Sequence, residues 1–167
     1  ALMDRNERHR STVMPLFGPE IFEKAQAKGP LTEPAYLQAK ESARRLAGEA
    51  GLLATLDAAR LDMIIAPSTS PAWIIDPVLG DHFLGAGYGM AAVAGTPSLT
   101  VPMGEVSGLP VGLTFMARAY AEADLLAWGY AFEQATRARR QPVHAPALPG
   151  DAISRPRARS SSEATRK

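Results

Sequence analysis

Two segments of this chain, LDMIIA (61–66) and SLTVPM (98–103), are aliphatic or small at nearly every position, interrupted only by one aspartate and two short hydroxyls. A strand with one wet face alternates apolar and polar residues, so near-continuous apolar runs predict strands covered on both faces. Such strands need sheet neighbours and helices above and below, which directs the chain to an α/β layer architecture. The first run closes at Pro67. The second is followed, after GEVSG (104–108), by PVGLTFMA (110–117), predicting a hairpin with a loop of several residues. The strand from Leu61 has no sequential partner, so its neighbours are expected in another segment.

The helices follow from spacing and punctuation. Pro19 suits a first helical turn, and Ile21, Phe22 and Ala25 recur at helical spacing up to Gly29 and Pro30. Thr32 is placed to cap a longer helix whose stripe is Tyr36, Ala39, Ala43, Leu46, Ala47 and Ala50, with Gly48 and Gly51 as stops and a short helix over 52–59. The small residues from Ala86 permit a closely packed helix before Ala94. From Ala121 a helix with Glu122 and Asp124 first and Arg137, Arg139 and Arg140 last suits the macrodipole, with Leu125, Trp128, Phe132 and Ala135 facing inward.

The chain's 167 residues suffice for one domain. Without cysteine it has no disulfide and no thiolate metal site, so packing must hold it together. The predicted strands and helices are too few to cover both faces of such a sheet, and one edge is expected to stay unpaired as a template for aggregation. The opening ALMDRNERHR is charged from its fourth residue and offers no signal-peptide core, compatible with a cytoplasmic protein. It starts without Met, already in helical periodicity, which suggests entry in mid-fold. The longest charge-free run, 83–104, is rich in glycine and proline, so no membrane helix is expected.

Charge is uneven. From Gln141 onward five basic residues face Asp151 and Glu163, a net +3, leaving −2 for residues 1–140. Residues 144–167, with several prolines, Ser160 to Ser162 in a row and few large aliphatics, are expected to be a disordered basic tail. The remainder, 1–143, is the expected folded segment. A folded part with net negative charge argues against nucleic acid as partner.

The stretches AAVAGTPSLTVPMG (91–104) and GLPVGLTFMARAYAEADLLAWGYAFEQAT (108–136) together resemble the carboxy-terminal part of the amidase signature family. The motifs are Ala94 to Pro97, Val101 to Gly104, Gly108 to Leu113 and Phe132 to Thr136. KGPLTEPAYLQA (28–39), LDMIIAPS (61–68) and PAWIIDPVLGDHF (71–83) resemble the branch of bacterial peptide and acyl amidases. The resemblance implies the C-terminal part of an α/β/α fold with a mixed central sheet. It also implies amide hydrolysis by a serine nucleophile, a bridging cis serine and a lysine base, with no cofactor. The chain has no Gly-Gly-Ser-Ser-Gly motif, and none of Lys24, Lys28, Lys40 and Lys167 follows a strand as the family's lysine does. The expectation is therefore a fragment, inactive alone, whose partners are an upstream amidase segment and a small amide. The alternative is a stand-alone, non-catalytic α/β module derived from an amidase, with an interaction role.

Three residues are candidates for substrate contact. The resemblance implies that Asp81, followed two residues later by Phe83 and preceding the Ala-Gly-x-Pro run, lies near the substrate's polar end; a solvated turn aspartate is the competing reading. Trp73 opens the loop at a strand's end, where α/β ligand sites gather, unless it packs in the core. His9, His82 and His144 lack metal-like spacing. Gly85, Gly87 and Gly89 are read as close backbone packing rather than a phosphate loop, and Trp128, Tyr130 and Phe132 as core rather than base-stacking residues.

Overall fold

The computed structural model describes residues 2–141, so the expected tail over 144–167 lies outside the described residues. Its first three helices are α1 (Leu2–Arg8), α2 (Arg10–Val13) and α3 (Glu20–Gln26), and none buries a residue. Their ordering is local. The Arg10 guanidinium, for instance, donates to both carboxylate oxygens of Glu7 at 2.9–3.1 Å, which holds that carboxyl below the usual glutamate range.

Helix α4 (Pro34–Ala47) begins on its proline, with Glu33 rather than Thr32 at the cap and no side-chain capping bond. The glycines expected as stops are passed. A π-helical turn, Gly48–Leu53, leads directly into α5 (Ala54–Ala59). A Cβ on Gly51 would strike the Leu46 carbonyl, so the wide turn needs a glycine there, whereas a Cβ on Gly48 would only reach ordinary contact with Ala94. The expected stripe on α4 buries nothing, whereas Leu52 and Leu56 one to two turns later are fully buried.

The strands are β1 (Ile64–Pro67), β2 (Ser98–Val106) and β3 (Leu109–Met116), in the order β1-β3-β2. The strand expected to lack a partner in this chain has one: β1 pairs antiparallel with β3 from Ile64↔Met116 to Pro67↔Leu113. The pairing is non-local, which is why sequence order does not reveal it. Strands β2 and β3 form the expected hairpin, but both run further than expected, and the loop shrinks to Ser107 and Gly108. Their φ values of 53° and 79° suit a two-residue type I′ turn, whose twist matches that of the strands. A bulge between Pro102 and Gly104 absorbs the register shift, with Gly104 at φ 153°. Both neighbouring pairs are antiparallel, and β1 and β2 form the two edges among the described strands.

Helices lie on both faces of this sheet. On one, the last helix packs Leu125, with partly buried Trp128 and Phe132, against Val101, Leu113 and Phe115; it is α7 (Glu122–Thr136). Phe115 and Phe132 meet edge to face at 5.8 Å, and Gly129 is needed because a Cβ would run into Leu99. On the other face Leu52, Leu56 and Ala91 of α6 (Gly89–Ala94) cover Met116, Ile64 and Ala66. Cover is complete only over Leu113 to Met116 of β3; Leu109 at its start is 42% exposed and Ile65 of β1, on the α7 side, 54%. Two details of α7 differ from expectation. Ala135 is exposed, and Arg137 is already the left-handed cap, so Arg137, Arg139 and Arg140 follow the helix instead of ending it. Arg140 instead reaches Glu105 of β2 at 3.3 Å.

Candidate functional site

Where β1 ends, three hydroxyls from separate strands or their extensions meet on the sheet face opposite α7. Ser68 extends the ladder by donating its N–H to the Gly112 carbonyl at 2.7 Å. Its Oγ lies 2.7 Å from Thr114 Oγ1, which in turn lies 2.9 Å from Thr100 Oγ1. Thr114 is fully buried and Ser68 nearly so. Gly112 makes the approach possible, since a Cβ there would stand 2.7 Å from Ser68 Oγ. The hydroxyls tie the strand ends together; among the described residues no histidine, lysine or carboxylate is hydrogen-bonded to them. Nothing in the sequence signals it, because each hydroxyl reads separately as an ordinary strand residue.

Beyond Ser68 the chain makes a long excursion and returns. The return is pinned by an isolated bridge between Thr69 and Ala86, by Thr69 Oγ1 donating to the Gly85 carbonyl at 3.2 Å, and by the Gly87 N–H donating to Ser68 O at 3.0 Å. Gly87 is required at this crossing: a Cβ would lie 2.6 Å from the Cβ of Ala66 and 2.5 Å from the Pro67 carbonyl. At Gly87 the glycine pattern thus serves close backbone packing.

Within the excursion the structure brings together all three residues singled out from the sequence. Trp73 Nε1 donates to Asp81 Oδ1 at 3.2 Å, and the rings of Trp73 and Phe83 meet edge to face at 6.1 Å. Trp73 is half-buried; Asp81 and Phe83 are exposed. A second aspartate shapes the loop between them. Asp76 Oδ1 accepts the N–H groups of Val78 at 2.8 Å and Leu79 at 2.9 Å, an Asx-type turn closed by Gly80 at φ 78°. Those amides, Leu79 first, hold the Asp76 carboxyl below the usual aspartate range. The arrangement offers an aromatic corner and one exposed carboxylate, a surface suited to a polar group beside an apolar body.

A groove of about 480 Å³ runs between the two pinned ends of this loop and the outer part of the hairpin, with Pro67, Pro71, Leu84, Met103, Val106 and Val111 on its walls. Ser70, also on its wall, has a buried Oγ without a hydrogen-bond partner. A cavity of about 380 Å³ between α4 and the turn after α6 is charged instead, lined by Arg44, Arg45, Glu41 and Glu49. Among the described residues no three His, Cys, Asp or Glu side chains gather as metal ligands, and no helix is long and apolar enough to cross a membrane.

No family model matches the chain. A curated relative, a glutamyl-tRNA(Gln) amidotransferase subunit from Desulforudis audaxviator (strain MP104C), is 41% identical over 105 residues, covering 57% of this chain and 20% of the relative. Among solved structures, a peptide amidase complexed with the competitive inhibitor chymostatin is 50% identical with a TM-score of 0.80, over 86% of this chain and 29% of that one. The native peptide amidase of Stenotrophomonas maltophilia is 49% identical with a TM-score of 0.76, over 85% and 28%. The chain therefore spans about a fifth to under a third of the length of these relatives. At half identity over nearly the whole described fold, the homologues of this chain are amidase signature proteins, and it matches a carboxy-terminal portion of them.

Proposed function

We propose that this chain is the carboxy-terminal portion of an amidase that hydrolyses carboxylic amides to an acid and ammonia or an amine. The observation that carries this reading is the 49–50% identity to peptide amidases over 85–86% of the chain, against only 28–29% of theirs. In this reading the serine nucleophile, the bridging cis serine and the lysine come from an upstream segment, and that segment is the chain's partner. This chain supplies sheet strands, outer helices and one wall of the substrate pocket. Trp73 and Phe83 form an aromatic wall; Asp81, oriented by the Trp73 N–H, holds the substrate's polar end. A small-molecule amide is the substrate, with no cofactor, nucleic acid or membrane involved, in a cytoplasmic setting. The rival reading, a non-catalytic module, draws on the two cores that this chain completes by itself.

The test is an assay of several simple amides and one peptide amide, with the purified chain alone and mixed with the upstream portion of a peptide amidase. The chain alone should show no turnover, because without nucleophile and base no acyl-enzyme forms. The mixture should hydrolyse, and Asp81→Asn or Trp73→Ala should lower its kcat/KM by roughly 10-fold, the loss of one well-made substrate contact. Clear hydrolysis by the chain alone, abolished by mutating a residue within it, would overturn the proposal.

A further inference from the structure

The excursion between β1 and α6 presents its apolar side chains to water. Over residues 71–87 nothing is buried, and Ile74, Ile75, Val78, Leu79 and Leu84 are 72–89% exposed. Among the described residues only one other large aliphatic, Ile21, reaches that exposure. Yet the segment has a fixed shape. Trp73 is held by Asp81 and by the ring of Phe83, Asp76 gathers the N–H groups of Val78 and Leu79, and bonds at Thr69 and Gly87 pin the ends. Apolar side chains clustered on the surface mark a place of interaction, and a surface shaped before it is covered loses little entropy when its partner arrives.

Charge narrows the choice of partner. Residues 69–87 carry Asp76 and Asp81 and no lysine or arginine. Segments that enter an anionic lipid surface carry basic residues beside their apolar ones, so this ridge does not suit one. A two-fold contact between two copies of the chain puts the same patch on both sides, which would set these carboxylates against their own kind. Position then points to a different occupant. The ridge lies on the same excursion as Trp73, Asp81 and Phe83. An amide held at Asp81 reacts only if a nucleophile comes within about 3–3.5 Å of its carbonyl, and in the proposed function that nucleophile is carried by the upstream segment. That segment must therefore close against the excursion. The solved peptide amidases have ample chain for it, since this chain covers only 28–29% of theirs.

We infer that Ile74, Ile75, Val78, Leu79 and Leu84 form the docking surface by which the upstream amidase segment binds this chain, through a facing surface that is apolar and free of carboxylates. This rests on the reading of the chain as part of an amidase, and it deepens that reading by naming where the partner is held. Docking there removes the aliphatic ridge from water and brings the nucleophile to the aromatic corner in one step.

The test titrates the upstream portion of a peptide amidase into the full 167-residue chain and measures Kd by calorimetry at several temperatures. Binding should carry a negative heat-capacity change, the mark of buried apolar surface. Val78→Lys and Leu79→Lys, which put a charge into the contact, should each weaken it at least roughly 10-fold. Leu126→Lys, at another exposed position on α7, should leave Kd unchanged. All three positions are exposed, so the melting curves and circular dichroism of the variants should match those of the parent chain. A Kd untouched by Val78→Lys and Leu79→Lys, or weakened as much by Leu126→Lys, would overturn the inference. Self-association of the chain alone, or its binding to phosphatidylcholine vesicles, would also overturn it if Val78→Lys abolished that binding, because the ridge would then belong to a second copy or to a lipid surface. The two levels separate in the mixture. Hydrolysis with a Kd indifferent to the loop variants removes only the docking surface. A complex that depends on Val78 and Leu79 but hydrolyses no amide removes only the amidase reading, and no complex at all removes both.

Discussion

Helices α1 to α3 and the unit formed by β2, β3 and α7 both carry large apolar residues, but the fates of those residues differ. In the first region Leu2, Val13, Ile21 and Phe22 stay half or more exposed, and none of the three helices buries a residue. In the second, Val101, Leu113, Phe115 and Leu125 close a core. Helices of four or seven residues are far below the length at which an isolated helix is stable, so α1 to α3 have local geometry without tertiary support. The hairpin and α7 lie next to one another in sequence and bury their faces against each other. Helical spacing therefore predicts a helix, but only a facing surface makes it stable.

Cutting equal side chains from both regions puts this contrast under the greatest stress. Phe115→Ala should cost about 3–5 kcal/mol in urea unfolding, whereas Phe22→Ala should stay within about 0.5 kcal/mol. A Phe22 effect equal to that of Phe115 would show that the amino-terminal helices dock. Next in size is Gly129→Val, which pushes a branched side chain into Leu99 and should cost about 1–3 kcal/mol, visible as a lower urea midpoint with unchanged slope.

Thr114→Val tests whether the hydroxyl cluster holds the strand ends. It removes the partner shared by Ser68 and Thr100 and should cost about 1–3 kcal/mol, while Thr55→Val on the exposed face of α5 should cost much less. The smallest effect concerns pH. The Asp76 carboxyl titrates lower in the folded loop than in the unfolded chain. Its turn is therefore fully supported above the usual aspartate range and loses that support as pH falls through the lowered folded value. The amide resonances of Leu79 and Val78 should move over that acid range, with Asp76→Asn flattening the profile and leaving global unfolding almost unchanged.

Much of the second region is legible in the sequence. The hairpin, the inward Leu125, Trp128 and Phe132 and the acidic start of α7 all depend on residues close together in the chain. The errors have physical causes. Glu105 and Val106, flanked by glycine, read as loop because polar residues on an edge strand look like turn residues. The pairing of β1 with β3 joins residues far apart in the chain, Ile64 with Met116, for which spacing holds no signal. SLTVPM reads as covered on both faces, yet Leu99 and Val101 face α7 while Thr100 turns to the hydroxyls. Gly48 and Gly51 read as helix stops because glycine spacing does not tell a stop from a π turn, in which a Cβ on Gly51 would strike the Leu46 carbonyl. At the candidate site the three residues named from the sequence do meet, through Trp73. The groove and the hydroxyl cluster are not legible, since both are assembled from separate segments.

If β2, β3 and α7 are stable within this chain while α1 to α3 await an upstream amidase segment, the two regions must differ in how often their backbone opens. Hydrogen exchange of the backbone amides, with and without that segment, reads this difference residue by residue. Exchange should be slow at Leu113 to Met116 in both conditions, and fast over residues 2–26 until the upstream segment is added. Equal protection of both regions in the chain alone, unchanged by the upstream segment, would contradict that division.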